Sequence, residues 1–407
     1  MRDVAIVGTG IIKFDKYPQK GIKDLVREPV ENALKDAGID AKKIEAAYVG
    51  SAAPGIMTGQ EQIKAQVTLS AMGIDTIPMY NIENACASSS SALHLAWTAV
   101  GAGLYDIVLV VGFEKLYDEN KMKSFMALGT AVDIENIGKS LADFEAKQKS
   151  GGKILSEDSG KSKSIFMDMS AYYTRLYTDK FGLTQLHFAK LSVKSHKNGA
   201  NNPHAMYQKE MTIEEVLNSG DVAYPLTRAM CSPVCDGSAA VIVCSKEKAS
   251  QFTTKPVWIA GSVVGSGKIS DVIGDTLTKR LGPKLYKSSG IGADNIDVIE
   301  VHDATTPSEI ITLIELGIVK GEDSLEWIDK GYLEVNGKKP SNTSGGLVTK
   351  GHPIGATGLA QIYEIVMQLR GQAGKRQVKN PRIGMTHNGG GILGVDAAAM
   401  ALHMLKI

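Results

Sequence analysis

Two stretches of the chain repeat one alternation of short apolar runs and helical-period segments, and this duplication most narrows what the chain can fold into. In the first half, strand-like runs occur at 3–8 (DVAIVG), 46–51 (AAYVGS), 106–112 (DIVLVVG) and 238–244 (SAAVIVC). In the second half they occur at 256–262, 296–301, 382–386 and 394–402. Continuous apolar runs bounded by glycine and polar turn residues suit strands covered on both faces. The helical periodicity between them, as at 22–37 and 355–370, supplies the cover. The pattern predicts a duplicated α/β architecture in which parallel sheets alternate with layers of helices.

Residues 115–225 break the rhythm. The stretch from Glu114 to Lys163 is rich in Lys, Asp, Glu, Ser and Gly and reads as long loops. After it, 168–181 and 184–198 have helical spacing, with Asp168 or Ser170 as N-cap for the first. The expected organisation is an N-terminal half at 1–114 and 226–250, an inserted loop domain at 115–225, and a C-terminal half at 251–407. An insertion of this length commonly serves as a lid or substrate-binding element. Its lysines would meet phosphates or simply form a solvated face.

Bulk properties exclude several classes. A formal net charge of +1 over 407 residues lacks the basic excess of a nucleic-acid binder. No run of 18 apolar residues is present, so no transmembrane helix is expected. The apolar run Val4–Val7 is too short for a signal peptide, and the C-terminal His-Met-Leu-Lys-Ile is no targeting tripeptide. Four cysteines without secretory context predict reduced thiols and a cytosolic protein.

The chemistry-bearing candidates are one cysteine and three histidines. Cys86, in NACASSSSAL, opens a helix whose first turns are only Ala and Ser. Unpaired N–H groups and the positive helix end favour thiolate there, although a free cysteine is more often a buried structural residue. Cys231, Cys235 and Cys244 read as structural, since C-x3-C has no second pair to complete a metal site. His302 follows the run IDVIEV, His352 lies in GHPIGATG, and His387 follows RIGMT in HNGGG. Each sits at a strand end or glycine-rich turn, where α/β folds gather active-site groups. His94 and His187 lie on ordinary helical stretches and read as structural. The run Gly389-Gly390-Gly391 bares N–H groups of the kind that form an oxyanion hole. Dinucleotide and phosphate-loop readings fail on detail: Lys13 stands where a third glycine is needed after Gly8-Thr9-Gly10, and GHPIGATG lacks a Gly-Lys-Ser/Thr ending.

NACASSSSAL, GGLVTKGHPIGATG and HNGGG, in this order, resemble the signature blocks of thiolases, and the resemblance spans essentially the whole chain. CSPVCDGSAAVIV and the pair His302-Asp303 resemble the sterol-carrier-type and archaeal-type branch. The resemblance implies a thiolase fold, with two βαβαβαββ halves in a layered α/β/α/β/α core. It implies that Cys86 accepts the acyl group and that His352 activates it. It further implies that His302 polarises the thioester oxygen or holds a water, and that the N–H groups of Cys86 and Gly389 form an oxyanion hole. Met167 and Ser232 fall where the family contacts coenzyme A, the co-substrate, and no metal or nucleotide cofactor is implied. Partners implied are a homodimer core and a small zinc-ribbon/OB-fold protein.

The chain departs from the pattern at one point. Most thiolases carry a second cysteine as proton shuttle, either before the glycine run or after His-Asp. Here those positions are His387 and Ala304. His387 becomes the candidate acid/base, and Ala304 frees volume beside the reacting carbons. A widened site would suit a bulky substrate such as that of the (S)-2-benzoylsuccinyl-CoA thiolases. Competing readings are a condensing acetyl-CoA acetyltransferase, a decarboxylating ketoacyl synthase, and a non-catalytic acyl-CoA-binding subunit. Pro353 and HNGGG disfavour the synthase.

Overall fold

The computed structural model describes residues 1–136, 164–252, 255–269 and 274–407. Its centre is a nine-stranded sheet. In chain order the strands are β1 (Val4–Ile11), β2 (Ala46–Gly50), β3 (Met79–Ile82), β4 (Ile107–Glu114), β5 (Gly237–Ser245), β6 (Val257–Ser266), β7 (Val298–Glu300), β8 (Ile383–Leu393) and β9 (Asp396–Lys406). The longer helices are α1 (Ile22–Ala37), α2 (Ser88–Gly101), α3 (Lys121–Gly129), α4 (Ile165–Phe181), α5 (Gln185–Ala200), α6 (Leu277–Ser289), α7 (Thr306–Glu315) and α8 (Thr357–Arg370).

The spatial order β3-β2-β4-β5-β1-β6-β9-β8-β7 displays the duplication, because each half runs outward from a central strand in the same sequence. The halves meet where β1 pairs with β6 through Ala5–Trp258 and Ile6–Val257. Alternate residues of the first half divide between two cores. Ala5, Val7, Val49, Leu109 and Ile242 pack under α1, while Val4, Ile6, Val108, Val110 and Val241 face α2 and α8. The second half does likewise: Ile299, Met385, Leu402 and Met404 pack against α6 and α7, while Val298 and Leu405 join the central cluster. Helices α2 and α8 therefore form a buried middle layer between two sheet halves. The layered α/β expectation holds.

Three local expectations are corrected. The sheet is mixed rather than parallel: β2 runs parallel to β3 and β4, and β7 to β8, but the remaining pairs are antiparallel. A short turn joins β8 to β9, and so short a connection only permits antiparallel pairing. Next, β8 does not stop before His387 but continues through the glycine run, because β9 pairs with it at His387–Leu402 and Gly389–Met400. Last, α4 starts at Ile165 with Ser164 as N-cap, ahead of Asp168 and Ser170. Of the long loops expected at 114–163, residues 121–129 are helix α3, and 137–163 lie outside the described residues. Gly8 and Gly10 serve packing rather than a nucleotide, since a Cβ there would fall 2.3 Å from Ala33 O and 2.1 Å from Pro29 O of α1.

Candidate active site

Cys86 sits at a sharp elbow between β3 and α2. Ala85 adopts φ +47°, in the left-handed region that few non-glycine residues enter. Ala87 N–H donates to Asn84 O at 2.9 Å, and Ser88 Oγ donates to Ala85 O at 2.7 Å, closing the turn. Helix α2 begins at Ser88, two residues after the thiol. Its buried serines at 88–91 let other segments approach closely. Gly390 packs on this elbow, where a Cβ would lie 2.3 Å from Asn84 O and 2.6 Å from Ala87 N.

Three segments from the second half converge on Cys86. Its Sγ and one ring nitrogen each of His302 and His352 all lie within 4.8 Å of one another. The two rings meet edge-on, with centroids 5.0 Å apart at 87°. Hydrogen bonds assign the tautomers. Ser90 Oγ donates to Asn388 Oδ1 at 2.8 Å, and the Asn388 amide then donates to His302 Nδ1 at 3.1 Å. His302 therefore carries its proton on Nε2, as a donor toward the site. Thr357 Oγ1 donates to Pro353 O and accepts from His352 Nδ1 at 2.7 Å, which leaves Nε2 of His352 an unprotonated base. A thiol, a base and a donor in this order can make a nucleophile and stabilise the oxyanion it creates. A thiolate with two imidazoles also has zinc-ligand chemistry, but the proton on His302 Nε2 occupies the position a metal would need.

Electrostatics correct the expectation of a resting thiolate. Burial pushes the Cys86 thiol up to about 12, outweighing the backbone N–H of Gly391 directed at it. Burial also lowers His302 to about 4 and holds His352 well below the usual imidazole range. The resting pair is neutral thiol and neutral imidazole. Glu114, fully buried, accepts N–H bonds from Ala52, Ala53 and Gly355 and ties the β2 loop to the His352 loop. Burial raises its carboxyl to about 7.

His387 lies beside this set with both ring nitrogens engaged. Nδ1 accepts the His302 backbone N–H at 3.4 Å, so Nε2 donates to Thr278 Oγ1 at 3.1 Å. Burial depresses its basicity to about 3. Gly389 lines the same cavity, but the N–H groups that reach the Cys86 sulfur are those of Gly391 and Cys86 itself. The cavity encloses about 460 Å³ and brings together Cys86, His302, His352, His387, Met167 and Ser232. Ala304 also borders it, as does Cys231, which the sequence reads as structural. Cys235 and Cys244 are buried, and all four thiols are free. His94 bonds Ser262, and His187 caps α5 through Thr184, in keeping with structural roles.

Sequence reasoning missed Asn388, Thr357 and Thr278. The first two stand inside motifs already singled out, HNGGG and GHPIGATG, so a search for tautomer-fixing neighbours finds them. Thr278 carries no local signal.

Comparison with known proteins now decides the family. The model described as "Thiolase, N-terminal domain" matches residues 4–247, and "Thiolase C-terminal domain-like" matches 266–402. The chain belongs to the thiolase family. Thiolases are acyltransferases that use coenzyme A as co-substrate, and this thiolase shares 36% identity with an acetyl-CoA acetyltransferase of Methanothermobacter thermautotrophicus, over 98% of each chain. It is 35% identical to the benzoylsuccinyl-CoA thiolase subunit BbsB of Thauera aromatica, over 96% of this chain and 95% of that one. Two solved structures share its fold. The Ltp2-ChsH2(DUF35) aldolase superposes with a TM-score of 0.76 at 23% identity, over 99% of this chain and 97% of that one. Human mitochondrial 3-ketoacyl-CoA thiolase gives 0.69 at 17%, over 100% and 98%. Among the described residues no helix is long and apolar enough to cross a membrane.

Proposed function

We propose that this thiolase cleaves or forms 3-oxoacyl-CoA esters through an acyl-enzyme on Cys86. The observation that carries the reading is the convergence of Cys86, His302 and His352 at the wall of one cavity. In the cleavage direction His352 Nε2 takes the Sγ proton as sulfur attacks the 3-keto carbon. His302 Nε2–H and the N–H groups about the elbow hold the oxyanions. The C2–C3 bond then breaks, and the departing CoA thioester takes a proton at its α-carbon. The thiol of a second CoA releases the acyl group from sulfur. His387 remains the candidate for the α-proton: its one proton is the Nε2–H held by Thr278 Oγ1, which it would give as that bond opens and regain from the incoming CoA thiol. Met167 and Ser232, at the cavity wall, are the residues proposed to meet CoA.

The substrate we propose is bulky. Phe125, Leu128, Phe166, Ile311 and Ile392 give the cavity apolar walls, and Ala304 withholds a larger side chain from it. The Thauera relative, named for benzoylsuccinyl-CoA, supports this reading over a two-carbon acyl group. That relative is named a subunit, and the solved aldolase joins Ltp2 to a DUF35 protein. Both support a partner protein, and the partner we propose is a small zinc-ribbon/OB-fold protein. We further propose that the protein is cytoplasmic and a homodimer, with 115–225 as a loop domain inserted within the N-terminal half. Intact-protein mass spectrometry after incubation with a panel of 3-oxoacyl-CoA esters, with and without a co-purified small partner, should show an acyl adduct that maps to Cys86. Persistence of CoA-dependent cleavage in Cys86→Ala would overturn the assignment.

A further inference from the structure

Helix α7 lays Ser308, Ile311, Thr312 and Glu315 along the cavity at helical spacing. Glu315 stands out among them. Tyr177 Oη donates to its Oε1 at 2.9 Å, and Thr276 Oγ1 donates to its Oε2 at 2.9 Å. Both donors are neutral hydroxyls, and among the described residues no basic side chain forms an ion pair with it. A buried carboxylate accepts about four hydrogen bonds and is costly to leave short of donors. Burial accordingly pushes its carboxyl up. Its remaining capacity faces the cavity.

A row of polar groups connects this acid to the reacting centre. Thr276 is the N-cap of α6. Two residues on, Thr278 Oγ1 takes the Nε2–H of His387, so its own proton meets only the Met400 thioether at 3.7 Å. A thioether is a weak acceptor. Thr278 thus offers the cavity a donor held only by a thioether, and Glu315 a carboxyl held only by two neutral hydroxyls. Asp396, on the same wall, is already paired with Arg280 and so is not free to take a ligand.

We propose that Glu315 and Thr278 form a polar acyl subsite, and that the acyl chain handled by this enzyme carries a hydroxyl group. A hydroxyl both donates and accepts, so it can serve the Glu315 carboxyl as donor and the Thr278 hydroxyl as acceptor. An ester or ketone oxygen can only accept, and a carboxylate likewise brings the Glu315 carboxyl no proton. The proposal rests on the thiolase reading and names its substrate class.

The test uses matched 3-oxoacyl-CoA esters of one carbon skeleton, bearing a distal hydroxyl, a carboxylate or neither. The full-length enzyme should favour the hydroxylated ester in kcat/KM by about tenfold or more over the plain one. The carboxylated ester should be the poorest. Glu315→Leu should bring the hydroxyl-to-plain ratio to within about twofold of one. The ratio is read on a single protein sample, so loss of folded protein lowers both rates and leaves it untouched. Thr278→Val should reduce the ratio in the same direction. A ratio near one in the unaltered enzyme, a ratio that survives Glu315→Leu, or a preference for the carboxylated ester overturns the subsite. Failure of every ester to acylate Cys86 overturns the thiolase reading instead.

Discussion

At the scale of single residues, the site works by protonation states that burial imposes. Cys86 rests as a thiol because its desolvation outweighs the N–H groups around it, so attack requires the proton to leave with the charge. His352 receives it, since Thr357 fixes its proton on the other nitrogen. The pH dependence follows. A neutral His352 is the active form, and its basicity lies well below the usual 6.5. Acylation of Cys86 should therefore stay flat from pH 8 down through 6.5 and be lost by about pH 4, where the His302 donor protonates. Alkylation of Cys86 by iodoacetamide should likewise show no inflection at the ordinary thiol range near pH 8.5. An inflection between pH 6 and 7 would instead mean a resting thiolate–imidazolium pair. Asn388→Ala removes the donor that sets the His302 tautomer and leaves Ser90 without its acceptor. Single-turnover acylation should slow roughly 10²-fold, the scale of losing one oxyanion donor. A KM change without a rate change would show that His302 does not depend on Asn388.

At the scale of elements, the glycine run at the end of β8 joins sheet to elbow. The strand reads as ending before His387, since three glycines in a row carry little strand propensity. Pairing with β9 and the closeness of the Cys86 elbow override that local preference. Gly390→Ala places a Cβ against the Asn84 carbonyl, and backbone cannot yield as a flexible side chain would. Destabilisation of about 1–3 kcal/mol is expected in a denaturant melt. Acylation of Cys86 should slow as well. A melt and rate equal to the parent would show that the elbow tolerates displacement. The same lesson applies to Cys86, which the sequence places at a helix start. The helix in fact begins two residues later, and the positive φ of Ala85 turns the thiol into the cavity.

At the scale of the molecule, β3 closes one end of the sheet, no further strand pairs with it among the described residues, and Tyr80 is 44% exposed. An open edge with an exposed aromatic is a ready surface for continuing the sheet into a second copy. Sedimentation should find a dimer, and Tyr80→Lys should shift it toward monomer; a monomeric parent would refute the homodimer. The duplicated strand–helix rhythm, the layered core and the motif residues Cys86, His302, His352 and His387 were legible in the sequence. Hydrophobic period and glycine spacing are local signals, and they survive folding. Strand direction, the tautomers of the histidines and the partners of Glu315 were not legible. Each is set by groups far apart in the chain: Ser90 with Asn388 and His302, or Tyr177 with Thr276 and Glu315. The sequence by itself determined which side chains are available for acyl transfer. Only the tertiary structure decided which proton sits on which nitrogen and which polar groups line the cavity, because both depend on contacts between elements that no local pattern encodes.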